Sequence, residues 1–281
     1  MIHLQPQERQ EVTQYIYSIC SIALDQSKDY LIEGRLNPLL EATGSKSFAQ
    51  FIGRAKEDRS GALNRRIIDE ITTNETLFFR DAAPFDLMRY KIIPELVDRR
   101  RAAGARIPIR VWSAACSTGQ EVYSLAIVLK ETLADSNRYD IKILGTDISD
   151  QAVARASGGY FSDIEMGRGL GDAVRARYFT PDPKGWKIRD EIRAMATFKR
   201  LNLMSDFSGL GKFDVVFCRN VAIYFNEKDR ASLFNRIEQR MERDGYLVIG
   251  AMESLTGICP QLESRRHVRS VFYQLAAPAS R

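Results

Sequence analysis

Two stretches carry the plainest chemical signal in this 281-residue chain: Val111-Trp112-Ser113-Ala114-Ala115-Cys116-Ser117-Thr118-Gly119-Gln120-Glu121 and Leu144-Gly145-Thr146-Asp147. A hydrophobic run over 107–112 breaks into small residues and then into a helical pattern at Tyr123, Ala126, Ile127 and Leu129. A second β-rich run, 141–144, leads to the acid Asp147. Strand, small-residue turn, helix, strand, acid is the layout of a nucleotide-type site. Small side chains let a ligand approach the backbone, and a carboxylate accepts hydrogen bonds from both ribose hydroxyls. No Gly-x-Gly-x-x-Gly run is present, and Asp147 stands further from the turn than the usual ~20 residues. No pyrophosphate need be held, so the expectation is a nucleoside cofactor such as S-adenosylmethionine.

Other residues fit the same site. In an open α/β sheet, ligands sit beyond the carboxyl ends of the strands, near the switch in strand order. That brings residues 113–121, 147–149, 202–203 and 218–225 to one end. Asn202, just past a strand, could hydrogen-bond an adenine edge or cap a helix, with Leu203 packing on the ring. The run Cys218-Arg219-Asn220-Val221-Ala222-Ile223-Tyr224-Phe225 places polar groups and two aromatics where a methyl group would be handed over. Residues 72–81, Thr-Thr-Asn-Glu-Thr-Leu-Phe-Phe-Arg-Asp, crowd hydroxyls and an amide beside two aromatics and one arginine.

Composition narrows the chemistry. With 44% hydrophobic and 27% charged residues the chain can bury a core, and no apolar run approaches the ~20 residues of a membrane span. Met1-Ile2-His3-Leu4-Gln5-Pro6 lacks the basic-then-apolar layout of a secretory leader, so a cytoplasmic protein without membrane insertion is expected. Four scattered cysteines form no Cys-x-x-Cys pair, and the two histidines leave little for a metal centre or a histidine-based triad; no metal is expected. The net charge of +5 raises a nucleic-acid reading, but the basic residues are not interleaved with aromatics. Clusters at Arg54-Lys56-Arg59-Arg65-Arg66, Arg99-Arg100-Arg101 and Arg265-Arg266-Arg269 read as solvated faces or as docking points for an acidic partner.

The elements that must position these groups follow from periodicity. Residues 1–72 read as a helical domain, with Val12, Ile16, Ile19 and Ile22 at helical spacing, breaks at Asn37-Pro38 and Thr43-Gly44-Ser45, and Ser47 as a cap. Nothing marks that domain as having chemistry of its own. A linker over 73–90 contributes to the site, and a helix over 85–101 carries Pro94 as a kink. From 91 to 281 strands and helices alternate: strands near 107–112, 141–146, 197–200, 213–218, 246–250 and 268–275, with helices after Gly119 and Ser149 and over 227–241. That order implies an α/β fold with a doubly wound, mostly parallel sheet. Within it, 158–196 reads as a small antiparallel β insertion, a hairpin turning at Pro183-Lys184-Gly185.

Four motifs in order, residues 72–80, 112–121, 144–149 and 217–225, resemble the chemotaxis receptor methyltransferases of the CheR family. The resemblance covers nearly the whole chain, the helical domain and the β insertion included. It implies a Rossmann-like, S-adenosylmethionine-dependent protein-glutamate O-methyltransferase. Such an enzyme esterifies glutamates on the cytoplasmic domains of transmembrane chemoreceptors and releases S-adenosylhomocysteine. Carried over by position, the cofactor contacts would be Asn74, Thr76, Arg80, Glu121, Asp147, Asn202, Leu203, Arg219 and Asn220. Arg80 suits a carboxylate, either the cofactor's or the substrate's, and Glu121 suits the methionine ammonium. Arg80 and Tyr224 are the expected orienting groups for the substrate glutamate. The short turn of the insertion points to a member independent of a receptor C-terminal tether peptide. Two rival readings share much of this sequence: a methyltransferase of RNA or a small metabolite, and a non-catalytic signalling adaptor.

Overall fold

The computed structural model describes residues 1–100, 106–133 and 138–276; Arg101, in one of the basic clusters and at the end of the expected linker helix, lies outside them. Four helices open the chain: α1 (Pro6–Cys20), α2 (Asp29–Ala42), α3 (Phe48–Glu57) and α4 (Ala62–Ile71). They close on a core of their own, with Val12, Ile16, Ile32, Leu36, Phe48, Phe51, Ile52 and Ile67 fully buried. Ser47 caps α3 as expected, its Oγ accepting from the Gln50 N–H at 3.1 Å. Asn37-Pro38 does not break α2, which runs through Pro38 to Ala42. The ring would press on the carbonyl of Gly34, a residue with nothing crowding its Cβ position. Burial of Leu36, Leu39 and Leu40 on both sides of the proline holds the turn together.

The kink expected at Pro94 also takes a different form. Helix α5 (Ala82–Leu87) passes through a π turn at Met88–Ile92 into α6 (Ile93–Arg100). Pro94 has no N–H for the carbonyl four residues back. The chain widens by one residue just before it, and Ile93 N–H bonds to Met88 C=O instead.

The α/β domain contains β1 (Ile107–Ala114), α7 (Gln120–Thr132), β2 (Tyr139–Asp147), α8 (Asp150–Gly158), β6 (Ala196–Arg200), β7 (Phe213–Cys218), α9 (Glu227–Glu238) and β8 (Met241–Ile249). A hairpin, β9 (Leu262–His267) and β10 (Ser270–Leu275), closes the chain. The seven-stranded sheet has the order β6-β2-β1-β7-β8-β10-β9. Pairing is parallel from β6 to β8 and antiparallel at β10 and β9. Sequence reading merges β9 into a loop because Glu263-Ser264-Arg265-Arg266-His267 shows no apolar alternation. Charged residues on an edge strand deter pairing with other chains, which hides that strand from a hydrophobic pattern. The end of α9 is likewise three residues short of the expected 241, because Met241 already pairs with Phe213 in the sheet.

Apolar clusters cover both faces of this sheet, one built around Val111, Tyr123, Leu125, Phe217 and Tyr246, the other around Trp112, Val216, Phe234 and Leu247. The insertion is a three-stranded sheet, β3 (Tyr160–Phe161), β5 (Gly185–Ile188) and β4 (Phe179–Asp182), with β5 central. Its turn is the two-residue Pro183-Lys184, and the Asp182 carboxylate accepts the Lys184 N–H at 3.0 Å. The strand at Tyr160–Phe161 is added to the expected hairpin. Among the described residues, no helix is long and apolar enough to cross a membrane, and no group of three His, Cys, Asp or Glu residues is placed to hold a metal ion.

Candidate functional site

The switch in strand order falls between β1 and β7, whose neighbours lie on opposite sides. At the carboxyl ends of these strands lies a cavity of about 300 Å³, at the small end of ligand sites (roughly 300–1,000 Å³). All ten residues named from the sequence line it: Asn74, Thr76, Arg80, Glu121, Asp147, Asn202, Leu203, Arg219, Asn220 and Tyr224.

The turn after β1 is built to receive Asp147. Ala115, Ser117 and Gly119 have positive φ, so the backbone folds back within five residues. This directs the Ser117 N–H to Asp147 Oδ2 at 2.8 Å, while Ser149 N–H reaches Oδ1 at 3.0 Å. Burial pushes the Asp147 carboxyl above its ordinary range, against the pull of those N–H groups. Gly119 packs on Ala156, where a Cβ would come within 3.0 Å, so α8 seats against the turn. Cys116 lies behind it with its thiol pushed up by burial and by the charges of Asp147 and Glu121. A thiol held protonated is no nucleophile.

Across the cavity, Glu121 Oε1 accepts from Ser113 Oγ and Oε2 from the Arg219 guanidinium, both at 2.8 Å. Arg219 is buried at the end of β7, and its second terminal nitrogen donates to Asp81 Oδ2 and to Arg80 C=O, again at 2.8 Å each. The Arg80 side chain donates to Glu75 C=O at 3.2 Å. Asn220 also has a positive φ, and its loop hangs on one carboxylate. Glu253 accepts from the N–H groups of Asn220, Ala222 and Gly250 at 2.8, 3.1 and 2.7 Å. Asn202 has a local duty besides lining the cavity: Oδ1 accepts the Met204 N–H at 2.8 Å, and Nδ2 reaches Ile19 C=O at 3.4 Å.

The helical domain, expected to have no chemistry of its own, supplies one wall. Cys20, Ile22, Ala23, Leu24, Lys28 and Leu31 face the cavity. Ala23 N–H donates to Tyr224 C=O at 3.1 Å, Tyr17 pairs with Asp229, and Asn226 donates to the Tyr17 hydroxyl at 2.7 Å. Asp69 accepts the Ser149 hydroxyl at 2.7 Å. Arg35 holds the carbonyls of Glu70, Ile71 and Thr72 at 2.8–3.3 Å, fixing the entry to the linker. Sequence reasoning missed this wall because its apolar residues look like core. Glu253 and Asp81 were missed because their partners are backbone groups or a distant arginine.

Of the basic clusters, Arg99 pairs with Asp244 at 3.2 Å, Arg100 with Asp214, and Arg265 with Glu263 at 3.7 Å. Arg65 pairs with Asp150 at 3.8 Å, while Arg59 and Arg66 are exposed.

Residues 7–72 match the family model described as CheR methyltransferase, all-alpha domain, and residues 74–269 match CheR methyltransferase, SAM binding domain. A chemotaxis protein methyltransferase, Cher2, of Pseudomonas putida is 37% identical over 267 residues, 92% of this chain and 94% of its own length. Chemotaxis protein methyltransferase 1 of Pseudomonas aeruginosa is 39% identical over 250 residues, 87% of this chain and 89% of its own. The chemotaxis protein methyltransferase of Vibrio anguillarum is 35% identical, with 98% of both chains covered. Family models spanning both domains, and relatives aligned over most of their length, place this chain in the CheR family of S-adenosylmethionine-dependent chemotaxis methyltransferases.

Proposed function

We propose that this chain transfers the methyl group of S-adenosylmethionine to glutamate side-chain carboxylates of chemoreceptors, forming methyl esters for sensory adaptation. One observation carries the reading: residues from five separate stretches of sequence line a single cavity at the switch point, with polarity suited to one nucleoside amino acid. Asp147, with its oxygens oriented by two backbone N–H groups, takes the ribose hydroxyls. Asn202 and Leu203 meet the adenine edge and face. Glu121 meets the ammonium of the methionine end, and Arg80 meets a carboxylate. Asn74, Thr76 and Asn220 complete the polar wall.

When bound, S-adenosylmethionine supplies a methyl carbon on an already activated sulfonium. The protein has little acid–base work to do, because a glutamate carboxylate with an unperturbed pKa near ~4.3 is ionised at neutral pH. What it contributes is position and the removal of water. Alignment of this kind can lower a barrier by roughly 7–11 kcal/mol. Arg80 and Tyr224, at the same cavity, orient the substrate carboxylate. Few contacts are needed, since a tightly held oxygen is a poor nucleophile.

Exposed Arg59 and Arg66 on the helical domain steer the enzyme toward the acidic faces of receptor helices. The two-residue turn of the insertion supports methylation without a receptor tether peptide. Incubation with labelled S-adenosylmethionine and receptor-enriched membranes tests the reading. Alkali-labile label is expected in membrane protein, with salt weakening its incorporation more than it weakens S-adenosylhomocysteine binding. Label in RNA would overturn the substrate, and equal salt effects would overturn the steering.

A further inference from the structure

Arg219 does not face the cavity as a free cation. Its side chain is 2% exposed and bridges two carboxylates, Glu121 and Asp81, at 2.8 Å each. The guanidinium also lies over the Phe85 ring, 5.9 Å from its centroid. One cation between two carboxylates leaves this cluster with a net negative charge beside the cavity. Buried Nε has no hydrogen-bond partner, so the group is oriented by its two terminal nitrogens alone. Asp81 stands in the left-handed region, with φ 56°, an uncommon conformation for a residue with a side chain. That backbone turn brings the Asp81 carboxylate and the Arg80 carbonyl to the same guanidinium nitrogen.

We propose that Asp81 is a positioning residue for the amino-acid end of the cofactor, acting through Arg219 on Glu121. This rests on the reading that Glu121 meets that end. With Asp81 in place, Arg219 is drawn equally toward the linker and toward α7, so it makes a single-point contact with Glu121. Without the second carboxylate, its best arrangement is an end-on, two-point pair with Glu121 through both terminal nitrogens. Such a pair takes up Glu121 lone pairs that would otherwise meet an ammonium, and the net negative charge is lost with it.

The test is calorimetry on the full chain with two ligands: S-adenosylhomocysteine, and 5′-methylthioadenosine, which lacks the amino-acid end. Asp81→Asn is expected to weaken S-adenosylhomocysteine about tenfold and 5′-methylthioadenosine less than about twofold, with Asp81→Glu restoring most of the loss. Asp81→Ser serves if the Asn variant does not fold. Unchanged S-adenosylhomocysteine affinity overturns the proposal. Equal loss for both ligands also overturns it, since a merely structural role loosens the whole cavity. Glu121→Gln separates the layers: if it binds S-adenosylhomocysteine normally, the underlying assignment of Glu121 fails. If it weakens binding while Asp81→Asn does not, only the role of Asp81 fails.

Discussion

The helical domain core and the rim of the sheet are built on opposite terms. Inside the four helices nearly every buried side chain is apolar, Asn37 and Ser45 being the polar ones. At the rim, Ser113, Ser117, Thr118, Gln120, Thr146, Asp147, Ser149 and Arg219 are all buried. Backbone conformation divides the same way. Among the described residues, six of the seven non-glycine residues with positive φ (Ser21, Phe79, Asp81, Ala115, Ser117 and Asn220) line the cavity or adjoin a residue that does. Each such position costs of order 1 kcal/mol and persists only where its surroundings hold it. The core stabilises the fold, whereas the rim gives up stability to hold charge and backbone N–H groups in fixed directions. Binding is the compensation.

The contrast can be broken at three points. The largest effect is expected from Phe51→Ala. Removing a fully buried ring from the helical core should destabilise by about 3–5 kcal/mol in urea unfolding, while S-adenosylhomocysteine affinity of the folded protein stays within about threefold. A parallel collapse of affinity would mean that the core and the cavity wall are one unit.

Asp147→Ala should do the reverse. Losing a carboxylate that faces two hydroxyls is expected to weaken S-adenosylhomocysteine about 100-fold, roughly 2.7 kcal/mol, with a smaller loss of ligand-free stability than Phe51→Ala, set by the Ser117 and Ser149 N–H groups that lose their acceptor. A large drop in melting temperature would show that Asp147 supports the fold instead.

The smallest effect is a pH dependence. Burial raises the Asp147 carboxyl above its ordinary value of 3.8, so the folded state holds the proton more tightly than the unfolded chain. The associated stability is fully present below about pH 3.8 and is lost as pH rises through the folded value. Relative to Asp147→Asn, the wild type should therefore lose stability as pH rises above about 4 and through the folded-state value. Thermal unfolding without ligand reads the difference, and a gap that stays constant with pH would contradict the burial argument.

Much of the architecture was legible because it rests on period and punctuation. Ile109, Val111, Val215 and Phe217 read as strands, Ser47 reads as a cap, and the alternation of elements reads as a parallel sheet. Pro38 misled, because a local rule predicts a break while burial on either side of the proline carries the helix onward, whereas the kink expected at Pro94 takes the form of a π turn. The β9 strand was illegible for the opposite reason, since a charged edge carries no apolar period.

The motifs at 72–80, 112–121, 144–149 and 217–225 identify the family, the cofactor class and the residues to watch, because small turns, an acid after a strand and a polar aromatic run are local properties of the chain. Tertiary structure alone decided that Arg219 would be shared by Glu121 and Asp81, that Glu253 would hold the Asn220 loop, and that α1 and α2 would wall the cavity. These relations join residues 31 to more than 200 positions apart. Their strength comes from distance, direction and burial, and none of those is a property of a residue's neighbours in sequence.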